Sequence, residues 1–143
     1  MSGNTILAAI DLQHEESDNH VAVEALKLAR SHNASLHLVF IIPDQHLSYV
    51  QNYIPAEMKA QVVVDAKADL DRFAASLDLG DTAVSLDVLR GTVYEETINY
   101  ADKIDADFIV IGSNRPGVKD LFIGPNAARV ARHANCSVLI VRP

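Results

Sequence analysis

The run Asp107-Phe108-Ile109-Val110-Ile111-Gly112, continued by Ser113-Asn114-Arg115-Pro116-Gly117-Val118-Lys119-Asp120-Leu121-Phe122-Ile123 and closed by Gly124-Pro125-Asn126, decides how this chain folds. Its first part is apolar with no polar alternation, the pattern of a strand covered on both faces in a parallel sheet. Gly112 lets the chain turn as the strand ends. Pro125 is suited to the first position of a helix, where its missing N–H would have had no intrahelical partner. The stretch therefore reads as strand, loop, helix.

The same alternation extends outward in both directions. Residues 5–11, 36–42, 83–89 and 137–142 read as further strands. Val138-Leu139-Ile140-Val141 is as unbroken as Ile109-Val110-Ile111, which predicts cover on both faces. Val84, Leu86 and Val88 alternate instead with Ser85 and Asp87, which places that strand at the sheet edge.

Four amphipathic patterns separate these runs. Ala22, Ala25, Leu26 and Ala29 recur at helical spacing, with Asp18 or Asn19 as the N-cap. A second pattern starts near Pro55-Ala56-Glu57 and carries Val62, Ala66, Leu70, Phe73 and Leu77 on one stripe. Val93, Thr97, Ala101 and Ile104 form the third. The fourth runs from Gly124-Pro125 to about His133, with Ala127, Val130 and Ala131 facing inward. Strand and helix alternate from end to end, and right-handed crossovers make this a doubly wound α/β/α sandwich on a five-stranded parallel sheet. One domain spans residues 1–143, with neither linker nor internal repeat. Residues 43–55, with His46, Tyr49 and Tyr53, form a long irregular connection of the kind that often carries function.

Bulk properties narrow the function classes. The chain has 143 residues, 49% of them hydrophobic and 22% charged, enough for a core without disulfides or metals. A net charge of −7 argues against non-specific nucleic-acid binding, which needs a basic footprint. A phosphate site is compatible with that charge, because a few main-chain N–H groups hold an anion locally. Cys136 is the single cysteine, so no internal disulfide forms. The apolar run after Asn4 is short for a signal peptide, and no stretch reaches the roughly 20 residues of a membrane span. The expectation is a cytoplasmic protein with no membrane insertion.

The 112–126 loop is the candidate site. In an open parallel sheet, ligands bind beyond the carboxyl ends of the strands where the connections reverse. Gly124 admits close backbone approach, and the helix start offers N–H groups and a positive dipole end. Arg115 and Lys119 add charge. This combination suits phosphate. A plain surface loop ending in a helix cap fits the same spacing, and the residues alone do not choose.

The opening strand ending in Ile10-Asp11, the Arg90-Gly91-Thr92 turn and the last thirty or so residues together resemble the universal stress protein family. The likeness is densest in Gly112-Ser113-Asn114-Arg115-Pro116, in Leu121-Phe122-Ile123-Gly124-Pro125-Asn126-Ala127-Ala128-Arg129-Val130, and in Arg132-His133-Ala134-Asn135-Cys136-Ser137-Val138-Leu139-Ile140-Val141-Arg142. The resemblance implies strand order 3-2-1-4-5, an adenine nucleotide alpha hydrolase-like fold and homodimers paired through the C-terminal strand. In one branch it also implies ATP, with magnesium, bound between the first and fourth strands. Carried over by position, Gly112 and Gly124 match the family's glycines, Asp11 the acidic residue on the ribose side, and Ile41 the backbone that meets adenine. Arg115 replaces a second glycine and, with Pro116, marks an Arg-Pro subgroup. The nucleotide-binding set so implied is Ile10, Asp11, Ile41, Gly91, Gly112, Ser113, Arg115, Gly117, Gly124, Pro125 and Asn126. Pro125 departs from the family's Ser or Thr and removes a hydroxyl and an N–H together. Arg115, Lys119, Ser113 and Asn126 are the residues placed to compensate.

Enzyme readings fare worse. A dehalogenase-type phosphatase wants an aspartate two residues after Asp11, where Gln13 stands; a phospho-receiver wants its acceptor where Leu89-Arg90 stands. Asp11 also suits a helix cap or turn. There is no Walker lysine pattern and no placed base for water, so no catalytic residue is assigned. Cys136 reads as a small buried thiol, and the six histidines lack metal-ligand spacing. Arg129 is a phosphate candidate or, with Arg132, part of a solvated face. Tyr49 and Tyr53 suit a base, a partner or loop packing. The expected function is a non-enzymatic, nucleotide-gated stress regulator acting as a homodimer with an unidentified protein partner. The alternative is a dimerisation or interaction module that needs no nucleotide.

Overall fold

The computed structural model describes residues 4–12, 15–43, 55–113 and 124–142. Along the chain these form β1 (Thr5–Ile10), α1 (Glu15–His32), β2 (Ser35–Pro43), α2 (Ala56–Ala75), β3 (Val84–Gly91), α3 (Val93–Lys103), β4 (Phe108–Gly112), α4 (Pro125–His133) and β5 (Ser137–Val141). The strands make one sheet in the order β3-β2-β1-β4-β5. Every pairing is parallel. Both the doubly wound architecture and the 3-2-1-4-5 order are as expected.

Strand side chains alternate between two cores. Ile6, Ala8 and Ile10 of β1 join Leu36 and Leu38 of β2 beneath α1 and α2, which contribute Ala22, Ala25, Leu26, Leu70 and Phe73. Leu7, Val39, Ile41, Ile109 and Ile111 point to the other side, where Ala101 of α3 and Ala127 and Val130 of α4 cover them. Leu36, Leu38 and Leu70 are fully buried, each contributing about 1.5–3 kcal/mol of burial.

Two helices stop by the same device. After α1, Ala34 N–H reaches back to Ala29 carbonyl (2.8 Å) and Asn33 N–H to Arg30 carbonyl (3.3 Å). After α3, Ala106 N–H donates to Ala101 carbonyl (2.9 Å) and Asp105 N–H to Asp102 carbonyl (3.2 Å). These are Schellman ends, with the intervening residue left-handed: Asn33 at φ 52° and Asp105 at φ 54°. Each aims the chain straight into the next strand.

Several sequence expectations are corrected. The first helix starts at Glu15, so Asp18 and Asn19 lie inside it rather than capping it. Arg90 and Gly91 are the last residues of β3, not a turn beyond it, because the ladder with β2 runs on to Pro43↔Gly91. Val62 is 49% exposed, since only the latter half of α2 lies over the sheet. Leu77 falls past the end of α2, yet still packs against the core. Ala131 is exposed, on the side of α4 away from Ala127 and Val130. β5 is not covered on both faces: it is the outer strand, and Leu139 is 37% exposed. β3 is the opposite edge, as its alternation predicts.

Candidate functional site

The topology makes one opening in the sheet, between β1 and β4. At the amino ends these strands are clamped: Thr5 N–H donates to Asp107 Oδ2 at 2.8 Å, and Asp107 N–H donates to Thr5 carbonyl at 2.8 Å. Pairing continues through Ile6↔Phe108 and Leu7↔Ile109 and ends at Ala8↔Val110. Beyond that level β1 keeps its partner β2 to Ile10↔Phe40, while β4 keeps β5 to Gly112↔Val141. The two strands part because their connections leave for opposite faces, β1 to α1 and β4 to α4. A switch point of this kind creates a cleft at the carboxyl ends.

Gly112 and Ser113 form the β4 side of that cleft. A Cβ on Gly112 would stand 3.3 Å from Val21 Cγ2 of α1, tighter than an ordinary contact, so glycine lets α1 close onto the strand end. Ser113 N–H extends the sheet by donating to Val141 carbonyl at 2.9 Å. Its own carbonyl accepts Gly124 N–H at 2.6 Å, which ties the strand end to the cap of α4. Ser113 is 2% exposed, and its hydroxyl has no hydrogen-bond partner among the described residues. An unpaired buried hydroxyl costs about 1–3 kcal/mol. Such a group is a candidate ligand contact. Pro125 opens α4, as expected, followed by exposed Asn126.

Sequence comparison covers nearly the whole chain: the model of the universal stress protein family matches residues 3–142. The chain belongs to the universal stress protein family. It is 26% identical over 140 residues to universal stress protein G of Escherichia coli O157:H7, spanning 96% of this chain and 98% of that one. Solved universal stress proteins share the fold. One in complex with cAMP is 23% identical, with a TM-score of 0.70 over 99% of this chain and 98% of its own. One from Archaeoglobus fulgidus in complex with dAMP is 20% identical, with a TM-score of 0.71 over 98% of each chain.

Within this universal stress protein the sequence-derived set divides by location. Gly112, Ser113, Gly124, Pro125 and Asn126 come together where β4 hands over to α4. Asp11 follows β1 on the opposite side of the parting strands, half-buried and already engaged in an interaction. The side chains of Ile10 and Ile41 are buried, Ile10 under α1 and α2, Ile41 under α3 and α4. Only their main chain is left to face a ligand. Gly91 ends β3 two strands from the cleft, paired with Pro43. Arg115, Gly117 and Lys119 lie outside the described residues, as do Gln13, His46, Tyr49 and Tyr53.

Arg129 is spoken for elsewhere. Its guanidinium stands over the Tyr94 ring at 5.2 Å, a cation–π contact joining α4 to α3. Tyr94 in turn donates its hydroxyl to Glu95 at 3.2 Å. Cys136 is half-buried; burial first, then Asp102 and Asp107, push its thiol above the ordinary range and keep it protonated.

The sequence reading missed one polar cluster. His37 of β2 lies 3.3 Å from the Tyr100 hydroxyl of α3, with Asp87 of β3 beside both. Desolvation lowers the His37 pKa, partly offset by Asp87. Tyr100 is raised by desolvation and then by Asp87. Period-2 spacing put His37 and Asp87 on their strands, but only the β2–β3 register and the seat of α3 bring them together.

Proposed function

We propose that this universal stress protein binds an adenine nucleotide in the β1–β4 cleft and acts as a non-enzymatic regulator of the stress response. One observation carries the reading: the parting of β1 and β4 above Ala8↔Val110 opens beside a buried Ser113 hydroxyl, unpartnered among the described residues, and the start of α4. The phosphate goes to the α4 end, where N–H groups and the helix dipole converge. The ribose side faces Asp11, and the base lies over the ends of β1 and β2. The complexes of relatives with cAMP and dAMP support an adenine ligand. ATP with magnesium, implied by the resemblance, is the first ligand to test.

A nucleotide bridging Ser113 and Asn126 changes the surface that the start of α4 offers to a protein partner in the cytoplasm. Two copies pair through β5, the outer strand of the sheet among the described residues, where Leu139 is exposed. A second reading, an interaction module without nucleotide, is favoured by Pro125, which offers α4 neither N–H nor hydroxyl for phosphate.

Mass spectrometry of the denatured, purified protein, with calorimetric titration of the nucleotide-stripped form, tests the proposal. An adenine nucleotide co-purifying or binding below millimolar concentration is expected. No binding of any adenine nucleotide at millimolar concentration overturns it in favour of the module.

A further inference from the structure

The edge of a sheet presents N–H and C=O groups that invite another strand. Among the described strands β3 ends this sheet on one side and β5 on the other. Register fixes which groups of β3 face outward. Leu36 N–H donates to the Ala83 carbonyl at 2.9 Å, and Leu36 is level with Val84. Parallel pairing of this kind turns the main-chain groups of Ala83, Ser85, Asp87 and Leu89 toward β2. Those of Val84, Leu86, Val88 and Arg90 then face outward.

Two of the outward groups are held by charged side chains. Lys67 of α2 donates from Nζ to the Leu86 carbonyl at 3.4 Å, and the same ammonium lies 3.5 Å from Asp71 one turn along the helix. Asp87 Oδ1 accepts Val88 N–H at 2.9 Å. The Leu86 carbonyl and Val88 N–H are the pair that one residue of an added parallel strand, level with Asp87, would take. To reach them a newcomer must displace both side chains and strip an ammonium and a carboxylate of water, which is costly. Its own carbonyl would also point at the Asp87 carboxylate.

We infer that Lys67 and Asp87 seal the outer edge of β3 against strand addition by a second copy of this chain. A sheet open at both edges adds copies β3-to-β5, a head-to-tail contact that does not close and grows into fibres. With β3 sealed, growth by that route stops. The seal belongs to β3 and α2, and it stands whether or not two copies pair through β5.

Amide hydrogen exchange followed by NMR reads the Asp87 half of the seal. In the wild type Val88 N–H is expected to exchange about tenfold or more below its unfolded-chain rate, the worth of a hydrogen bond to a charged group. Asp87→Ala should remove that protection, with Leu38 N–H of β2 as the reference for global opening. Asp87→Asn, which keeps an oxygen acceptor, should retain most of it. An unprotected Val88 in the wild type, or equal protection in Asp87→Ala, overturns the seal. Light scattering across a concentration series reads assembly, with circular dichroism to verify the fold. The wild type is expected to hold one mass at high concentration, and Lys67→Ala/Asp87→Ala to keep growing. A folded double variant that matches the wild-type mass at every concentration, or a wild type that itself grows without limit, overturns the inference.

Discussion

Glu96 lies directly on Gly91: a Cβ built on the glycine would stand 2.8 Å from Glu96 Cγ. Gly91 also has φ +143°, a conformation side chains rarely adopt. Two independent constraints therefore demand glycine at the end of β3. One is the backbone, the other the first turn of α3 folding back over it.

Gly91→Ala should destabilise the fold by about 1–3 kcal/mol through the forced φ and the contact. Urea unfolding measures it. Adding Glu96→Ala should recover only the steric part. Full recovery in the double variant would show that the backbone conformation costs nothing.

Asn33 and Asp105 occupy the left-handed positions of the two Schellman ends. Glycine enters that conformation without a Cβ penalty, though it gains freedom in the unfolded chain. Asn33→Gly and Asp105→Gly should each stabilise by a few tenths to about 1 kcal/mol. A lower melting temperature for both would mean that these side chains supply contacts outweighing the backbone strain.

Stability should rise with pH through the weakly acidic range on account of His37. Its folded pKa is lowered by desolvation, so below the ordinary value of 6.5 the unfolded chain takes up the proton more readily. The contribution is fully present above 6.5 and is lost as pH falls through the folded value. Urea midpoints at pH 7.5 and 5 should therefore differ more in the wild type than in His37→Asn. Equal differences would remove His37 from the account. Tyr100, raised above its ordinary value, works the other way: its contribution fades as pH climbs past 10.

Leu139 tests the proposed pairing of two chains through β5. It is 37% exposed on β5, which has a strand neighbour on one side only among the described residues. An uncovered strand edge is a ready template for a second copy. Light scattering should report a dimer for the wild type and a monomer for Leu139→Asp. A wild-type monomer, or an intact dimer in the variant, would place the contact elsewhere or nowhere.

The periodicities in the chain were a good guide to the elements and a poor one to their cover. Ile109-Val110-Ile111 and Val138-Leu139-Ile140-Val141 look alike as sequence, yet β4 is buried on both faces while β5 stands at the edge. Apolar content reports that a strand needs cover. It does not say whether the cover comes from its own helices or from another molecule. Arg129 gives the same lesson for charge: its place on the phosphate-side helix was readable, but its turn toward Tyr94 depends on where α3 packs against α4.

By itself the sequence determined the strand–helix alternation, the parallel sandwich and the loop worth watching, because side-chain period and glycine or proline placement act locally along the chain. Tertiary structure alone decided that β1 and β4 separate above Ala8↔Val110, that Gly124 N–H is taken by Ser113, and that His37, Asp87 and Tyr100 meet. Those facts depend on register and on which elements become neighbours. Register is set by burying two cores at once, a condition no single segment carries.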